Sequence, residues 1–378
     1  MSEARLRVLL FGRYADAETG GIERHVRSVV EALQGEVDFV NLVEGRGFAA
    51  ARDWPCPVEV SRALAVVASL PICPGMPAMA RALHARHRFH IAHLHLPDPM
   101  SHFAAASLPP EVRIVVTWHS DIVRQRSLYG LYRPLLRRLM ARARVVVAAT
   151  PVHFTSMPQL GELAPQAKRV VVPFGFELAR YRAPHPRADE LRKSLGPKLV
   201  FALGRHVYYK GFEYLVRAMA RLPEARLAIG GTGPLTASLR AAAADAGVAD
   251  RVVFAGRIAE ADLPAYYQAC EVFCLPAVEP SEAFGIVQVE AMAAGKPVVC
   301  SELHNGITWV NQHGVTGLAV PPRDEAALAA ALGRLLGDAA LRKRLGDAGA
   351  ARAASAFSLG ALAAGTLGVY QKALAASA

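Results

Sequence analysis

The sequence predicts an α/β protein with two domains, each built on a parallel sheet. Short apolar runs of strand length alternate with longer helical patterns from one end of the chain to the other. At 378 residues the chain is too long for one ordinary hydrophobic core. Between Phe174 and Pro197, prolines and charged residues replace this periodic pattern. We therefore expect two Rossmann-like domains that face each other across a cleft.

The predicted strands form one set in each half of the chain. Those of the first half are Arg5–Phe11, Val37–Val43, His90–His95, Arg113–Trp118, Val145–Ala149 and Val170–Pro173. Those of the second half are Leu199–Leu203, Arg226–Ile229, Val252–Ala255, Val272–Leu275, Val298–Cys300 and Gly317–Val320. We assign residues 1–180 to an N-terminal domain and residues 195–356 to a C-terminal domain. A last helix within residues 357–378 is expected to pack back on the N-terminal domain.

Composition narrows the functional classes. The chain is 53% hydrophobic and 20% charged, as in folded soluble proteins, and its five scattered cysteines form neither a disulfide framework nor a zinc-binding pattern. A net charge of +11 favours anionic ligands, but no nucleic-acid-binding motif is present. The first residues lack the apolar core of a signal peptide, and Pro71, Pro74 and Pro77 break the most apolar run. These features predict a cytoplasmic protein that does not bind nucleic acid.

Two glutamates with seven residues between them, Glu282 and Glu290, are the main candidates for ligand binding. A helix is predicted from Ile286 to Ala294, and its free N–H groups and dipole favour a phosphate at its start. Glu290 lies about 7 Å further along this helix, the separation between the phosphates and the ribose of a nucleotide. One helix can therefore hold ribose, diphosphate and sugar in a row. For this motif alone, two solvated glutamates on an amphipathic helix are the alternative interpretation.

Other candidates lie in loops at the carboxyl ends of predicted strands. Arg205 and Lys210 share one loop, and both can reach a diphosphate. His119 follows the fourth strand, where it can donate or accept a hydrogen bond with a sugar hydroxyl or a phosphate. The chain has no Asp-x-Asp pair to hold a metal ion. The negative charge that develops on a departing diphosphate would then be neutralised by Arg205, Lys210 and helix N-termini.

Glycines mark further places of close backbone approach. Gly20 and Gly21 precede a predicted helix, although a simple tight turn explains them equally well. The segment Gly230–Pro234 is only loosely similar to a dinucleotide-binding fingerprint. Arg257 follows a glycine at the end of the next strand and is a candidate neighbour of a nucleotide base.

Taken in order, these motifs resemble those of the GT-B glycosyltransferases of family 4. They are GGIERHV (Gly20–Val26), His119, GRHVYYKG (Gly204–Gly211), GGTGP (Gly230–Pro234) and the two glutamates followed by AGKPVV. The resemblance implies a nucleotide-sugar donor held mostly by the second domain and an acceptor held mostly by the first. It also implies transfer with retention of anomeric configuration and without a required metal or other cofactor.

The resemblance further implies a role for each matched position. Arg205 and Lys210 would hold the diphosphate and Glu290 the ribose hydroxyls. Glu282 and the amides of Phe284 and Gly285 would hold the sugar, and His119 would contact it near the anomeric centre. The predicted catalytic residues are thus His119, Glu282, Arg205 and Lys210. The predicted donor-binding residues are Gly20, Gly21, Gly204, Gly231, Arg257, Phe284, Gly285, Ile286 and Glu290.

One segment departs from the common family pattern. Residues His304–Gly317 replace the usual Gly-Gly-x-x-Glu and look like the variant of bacterial mannosyl- and rhamnosyltransferases of polysaccharide assembly. This favours GDP-mannose or a GDP-linked rhamnose as donor and a glycan or polyprenyl-linked saccharide as acceptor. The alternatives are a UDP-sugar-dependent enzyme, an epimerase or phosphorylase of the same fold, and a non-enzymatic nucleotide-binding protein.

The stretch from residue 122 to residue 144 is basic and amphipathic. It is predicted as a helix interrupted at Gly130 and Pro134. It contains seven arginines at positions 124, 126, 133, 137, 138, 142 and 144, and no acidic residue. One interpretation is peripheral binding to an anionic membrane on its inner face. The other is a helix that packs on the N-terminal domain while its arginines are solvated.

Overall fold

A computed structural model describes residues 5–14, 21–45, 54–67, 70–122 and 126–375. The chain divides into two compact units, of which the first contains Met1–Phe176 and Leu359–Ala378 and the second contains Glu177–Ser358. The divisions therefore follow Phe176 and Ser358. Each unit has its own sheet and its own hydrophobic core.

The first unit is built on a seven-stranded parallel sheet with the order β3-β2-β1-β6-β7-β8-β9. A small antiparallel pair, β4-β5, lies outside it. The strands are β1 (Leu6–Tyr14), β2 (Val37–Gly45), β3 (Val58–Arg62), β4 (Ala65–Val67), β5 (Leu70–Ile72), β6 (Ile91–Leu96), β7 (Arg113–Trp118), β8 (Val145–Ala148) and β9 (Arg169–Val171). The direction of winding reverses between β1 and β6, and ligands of such sheets bind at this point.

Helices cover both faces of this sheet. They are α1 (Gly21–Ala32), α2 (Met76–His87), α3 (Pro99–Ala106), α4 (Arg126–Arg142), α5 (His153–Ser156) and α6 (Pro158–Leu163). Successive side chains of a strand point to opposite faces. Leu9 and Phe11 of β1 therefore enter the core on one face, while Val8 and Leu10 enter the core on the other. Burial on both faces explains why these strands read as continuous apolar runs.

The second unit repeats the pattern with six parallel strands in the order β12-β11-β10-β13-β14-β15. The strands are β10 (Leu199–Leu203), β11 (Arg226–Gly230), β12 (Val252–Gly256), β13 (Val272–Leu275), β14 (Val298–Ser301) and β15 (Gly317–Val320). The helices are α7 (Ala179–Arg182), α8 (Arg187–Leu195), α9 (Phe212–Ala218), α10 (Thr236–Asp245), α11 (Leu263–Ala269), α12 (Ile286–Ala293), α13 (Gly306–Val310), α14 (Glu325–Gly337) and α15 (Ala339–Ala356). Asp324 and Asp338 cap α14 and α15 through their side chains. Here the winding reverses between β10 and β13.

The last helix, α16 (Leu359–Ala375), belongs to the first unit. It packs on α1, β7 and β8. Its buried residues include Leu362, Val369 and Tyr370, which lie in the same cluster as Val8 and Leu10 of β1. The first sheet is therefore covered on this face by the end of the chain.

Two parallel-sheet, Rossmann-like units confirm the predicted fold class. The predicted interruption at Gly130 and Pro134 is wrong, because α4 continues through both positions. A proline inside a helix removes one backbone hydrogen bond, and the remaining turns of this 17-residue helix are kept. None of the helices in the described part of the chain combines the length and apolar character needed to cross a bilayer.

Candidate active site

The sheet topology of the second unit brings two predicted loops together. Strands β10 and β13 are neighbours, and both end at the same edge of the parallel sheet. The loop after β10 contains Arg205 and Lys210, and the loop after β13 contains Glu282. This is the point where the winding reverses, which is the usual ligand position in an open α/β sheet.

Lys210 and Glu282 form an ion pair at this position. Lys210 Nζ lies 2.5 Å from Glu282 Oε2, and the two side chains are only 10% and 13% exposed. Such a pair is screened by water much less than a surface ion pair. A Cβ atom on Gly204 would lie 3.1 Å from Lys210 Cε, so the glycine leaves room for the lysine side chain. The predicted cation and the predicted carboxylate are therefore direct partners.

Glycines fix the loops around this pair by backbone contact. Gly231 has a φ of +105°, and a Cβ atom there would lie 2.0 Å from the Gly204 carbonyl oxygen. A Cβ atom on Gly233 would lie 2.5 Å from the His206 carbonyl oxygen. The His206 amide in turn donates to the Thr232 carbonyl at 3.0 Å. The GGTGP segment thus packs against the loop of Arg205 and Lys210 where no side chain fits.

The start of α12 is held by two side-chain amides. Gly285 precedes the helix with a φ of +71°. Asn305 Nδ2 donates to the Glu282 carbonyl at 2.8 Å, and Gln288 Nε2 donates to the Phe284 carbonyl at 2.9 Å. The first amides of a helix have no partner within it and are directed at the residues before it. Glu282 therefore precedes a helix N-terminus whose entry segment is fixed.

Glu290 lies on α12, one turn after its start, and is half-buried. Tyr267 donates its hydroxyl proton to Glu290 Oε2 at 2.6 Å. The Tyr181 hydroxyl lies near the same carboxylate and affects its pKa. Burial raises the pKa of the Glu290 carboxyl, and the hydroxyl groups of Tyr267 and Tyr181 oppose this effect. Glu290 is thus a carboxylate with one phenol donor and a second phenol group nearby.

Three other predicted site residues of the second unit are exposed, the catalytic candidate Arg205 and the donor-binding candidates Arg257 and Ile286. Arg205 follows β10, Arg257 follows β12, and Ile286 is the first residue of α12. Arg257 is adjacent to Gly256, whose carbonyl accepts a hydrogen bond from the Gly231 amide at 2.7 Å. Phe284, in contrast, is buried and contacts Phe357 edge-on at 5.8 Å between ring centroids.

In the first unit, His119 lies in a cluster of imidazoles. His119 Nε2 and His95 Nδ1 are 3.0 Å apart, and the rings of His25 and Phe174 lie at centroid distances of 5.3 and 5.9 Å from His119. His93 bonds to Tyr370 of α16 at 2.9 Å and to Thr117 at 2.8 Å. Of the predicted glycine pair, Gly21 is exposed at the start of α1, and Gly20 lies outside the described residues.

Burial keeps these imidazoles uncharged. It lowers the pKa of His25 to about 4 and that of His93 to about 3. The pKa values of His95 and His119 lie well below the ordinary value for the same reason, with a smaller contribution from the neighbouring histidines. A neutral His119 can hydrogen-bond a hydroxyl group but offers no positive charge to a phosphate.

One group of potential metal ligands occurs in the described part of the chain. Ring nitrogens of His25, His95 and His119 lie within 4.8 Å of one another. His95 Nδ1 and His119 Nε2 are already joined by a hydrogen bond, so one of these two nitrogens carries a proton. A metal ion bound through both nitrogens would have to break this bond. The absence of a required metal stays a prediction.

Several residues of the site escaped sequence reasoning. His93 and His95 could have been predicted as neighbours, because they are alternate residues of one strand and therefore share a face of the sheet. Asn305 had the weaker signal of an Asn-Gly turn. No sequence pattern distinguishes Tyr267 and Tyr181 as site residues, because a single tyrosine in a helical pattern indicates only a core position.

Two family descriptions match the two units of the chain. Residues 19–180 match "Glycosyltransferase Family 4", and residues 187–352 match "Glycosyl transferases group 1". The first match contains Gly20, Gly21 and His119, and the second contains Arg205, Lys210, Glu282 and Glu290.

Similar proteins of known activity are sugar transferases. The chain is 33% identical over 292 residues to O-antigen chain mannosyltransferase C of Escherichia coli. This match covers 77% of this chain and 76% of the relative. The chain is 37% identical over 246 residues to D-rhamnosyltransferase WbpZ of Pseudomonas aeruginosa, with 64% and 63% covered. It is 34% identical over 270 residues to the GDP-mannose-dependent alpha-(1-6)-phosphatidylinositol monomannoside mannosyltransferase of Mycobacterium tuberculosis, with 68% of each covered.

Solved structures show the same fold. The structure of Anabaena Alr3699/HepE in complex with UDP superposes with a TM-score of 0.79 at 20% identity, and the match covers 97% of this chain and 100% of that one. At this identity the likeness concerns the fold alone. Together with the relatives and the two matched descriptions, it shows that the chain belongs to the family 4 glycosyltransferases and that its two Rossmann-like units have the GT-B fold.

Proposed function

We propose that this glycosyltransferase is retaining and metal-independent and transfers a hexose from a GDP-linked donor. The best candidate donor is GDP-mannose, with a GDP-linked rhamnose second, and the acceptor is a glycan or lipid-linked saccharide of polysaccharide biosynthesis. The mannosyl- and rhamnosyltransferases among the relatives support the sugar, and one relative is named as GDP-mannose-dependent. The variant segment His304–Gly317 supports the same group.

The observation on which this proposal depends most is the buried Lys210–Glu282 pair before α12. A diphosphate placed at the N-terminus of α12 would meet the first backbone amides of the helix, the positive end of its dipole and the Lys210 ammonium group. Glu282, released from Lys210 by that exchange of partners, would accept hydrogen bonds from the sugar hydroxyls. Glu290, further along the same helix, would accept from the ribose hydroxyls.

The cations that this arrangement supplies support the proposal of metal independence. When the bond between the sugar and the diphosphate breaks, negative charge develops on the diphosphate oxygens. Lys210, the exposed Arg205 and the N-terminus of α12 would stabilise that charge. His119, kept neutral by burial, would hydrogen-bond a hydroxyl of the transferred sugar.

Isosteric variants test these roles. We expect Lys210→Met and Glu282→Gln each to lower turnover of GDP-mannose by about 10²- to 10³-fold, because each removes an interaction with developing charge or with the sugar. The measurement is release of GDP with octyl α-mannoside as acceptor, together with the anomeric configuration of the product by NMR. An α-linked product from the α-linked donor and unchanged turnover in EDTA are expected.

Matched controls come from an exposed ion pair of the same unit. Lys198 and Glu224 form a surface salt bridge, so Lys198→Met and Glu224→Gln should keep wild-type turnover. Folded Lys210→Met or Glu282→Gln protein with near-wild-type turnover would refute the site, and a β-linked product would refute retention. Thermal-shift screening against GDP, UDP and ADP identifies the base, because the bound nucleotide raises Tm.

We also propose that α4 contacts an anionic membrane surface, which would suit a lipid-linked acceptor. Leu131 is 82% exposed, and Arg138 is exposed two turns further along the same helix. Other arginines of this stretch have partners within the unit. Arg133 and Arg137 pair with Glu162, and Arg142 donates to carbonyl groups at the end of α3 and after it. The basic surface that α4 can present to a membrane is therefore smaller than the number of its arginines indicates.

A further inference from the structure

Tyr267 is a fully buried core tyrosine whose hydroxyl group contacts a carboxylate. It lies on α11, its ring is fully buried against Phe201 and Phe273, and its hydroxyl reaches Glu290 Oε2 at 2.6 Å. A phenylalanine would fill the same space. The hydroxyl group is therefore explained by the carboxylate that it contacts, because a buried tyrosine hydroxyl needs a partner.

Tyr181 approaches the same carboxylate from another element. It lies on α7, which packs on both α11 and α12. Its ring meets that of Tyr267 edge-on at 5.5 Å, and its hydroxyl lies near the Glu290 carboxylate. The Arg180 guanidinium lies 4.8 Å from the Tyr181 ring centroid and donates to its hydroxyl at 2.8 Å. Arg180 is in turn paired with Glu260.

We propose that Tyr267 and Tyr181 are positioning residues, which orient the Glu290 carboxylate toward the ribose diol of the nucleotide. The inference rests on the proposed role of Glu290 and adds two residues that do not touch the ligand. An ionised carboxylate offers about four acceptor positions. Tyr267 occupies one of these positions, and Tyr181 lies near enough to occupy a second. The remaining two match the two hydroxyl groups of a ribose.

Fixed orientation has a direct consequence for affinity. A glutamate side chain loses several rotamers when it binds a ligand, and that loss weakens binding. At Glu290 the rotamer is already selected by Tyr267 and Tyr181 before a ligand arrives. A site whose polar groups are held by neighbours in this way discriminates strongly against a ligand that lacks the matching hydroxyl groups.

Nucleotides with and without the ribose hydroxyls test the proposal. The probes are GDP, UDP and ADP with their 2′,3′-dideoxy forms, measured by calorimetry, and the pair that binds the wild-type protein best is used. We expect Tyr267→Phe to weaken binding of the ribonucleotide about tenfold, the effect of one hydrogen bond to a charged group. Binding of the dideoxynucleotide should stay within twofold of wild type. Tyr181→Phe should act in the same direction.

Two controls separate the possible outcomes. Tyr266→Phe changes the neighbouring tyrosine of the same helix, whose ring stacks on Phe201, and should change neither affinity. Glu290→Gln should abolish the preference for the ribonucleotide, and an unchanged preference there would refute the proposed role of Glu290 itself. With that role intact, equal losses for both nucleotides in Tyr267→Phe, or no loss for either, would refute positioning.

Discussion

At the scale of single residues, His25, His93, His95 and His119 show how burial decides chemistry. The sequence predicted a hydrogen-bonding role for His119 from its place after a strand, and the structure puts it in a cluster whose pKa values are all lowered. Position at a strand end could be predicted because it depends on local pattern. The neighbours could not, because they come from β6 and α1, far away in the chain.

The buried imidazoles should make the stability of the first unit sensitive to acid. His25 has a pKa near 4 in the folded protein, below its ordinary value of 6.5. Between these pH values the unfolded chain binds a proton that the folded chain does not, so stability falls as the pH falls. Between pH 7 and pH 4 the free energy of unfolding of His25→Gln should fall by about 3 kcal/mol less than that of wild type, at about 1.4 kcal/mol per pKa unit.

Urea unfolding at a series of pH values measures this difference. His87→Gln, which changes a histidine of α2 stacked on Phe89, is the control and should follow wild type. Parallel pH curves for wild type and His25→Gln would contradict the prediction.

At the scale of elements, fully buried apolar strands were predicted well and more exposed strands were missed. Strands such as β8 consist entirely of buried apolar residues, which local pattern identifies. Strands β3, β4 and β5 are three to five residues long and mostly exposed or half-buried, so their pattern carries no such signal. The loops after β10 and β13 were predicted as site loops. The backbone contact between Gly231 and Gly204 was not, because it depends on the pairing of β11 with β10, which the local sequence pattern does not reveal.

Helix α4 gives a prediction at this scale. The double variant Leu131→Ser, Arg138→Gln should bind vesicles of phosphatidylglycerol and phosphatidylcholine about tenfold less than wild type. It removes an exposed apolar side chain and one cation, each of which contributes about 1 kcal/mol or less near an anionic surface. Sedimentation with vesicles measures the bound fraction.

The control changes an exposed leucine on another helix of the same unit. Leu374 of α16 is 43% exposed, so Leu374→Ser should bind as wild type does. Equal recovery of wild-type protein with anionic vesicles and with pure phosphatidylcholine would refute membrane binding by α4.

At the scale of the whole molecule, both sheets follow the same winding pattern, which the alternation of strands and helices predicted. Parallel strands need crossover helices, so the alternation leaves few topologies open. Two hydrophobic clusters in the described residues of the first unit draw on different parts of the chain. One is local to residues 9–164, and the other includes residues of α16 from the far end of the chain.

Leu362 tests how much α16 contributes to the first unit. It is 1% exposed within the cluster that includes Val8 and Leu10, so Leu362→Ala should lower the free energy of unfolding by about 2 to 5 kcal/mol. Hydrogen exchange should show faster opening of β1 and β7. Leu374→Ala on the exposed side of α16 should change stability by less than about 0.5 kcal/mol. Unchanged exchange in Leu362→Ala would show that α16 is dispensable.

The position of α16 also sets the order in which the protein can be completed during synthesis. The second unit is one continuous segment, Glu177–Ser358, and all of it leaves the ribosome before α16 does. The first unit, although translated earliest, waits for residues 359–375 with the apolar face around Val8, Leu10 and Val369 still open. The half that is made first is therefore finished last, and until then its apolar face lacks the cover of α16.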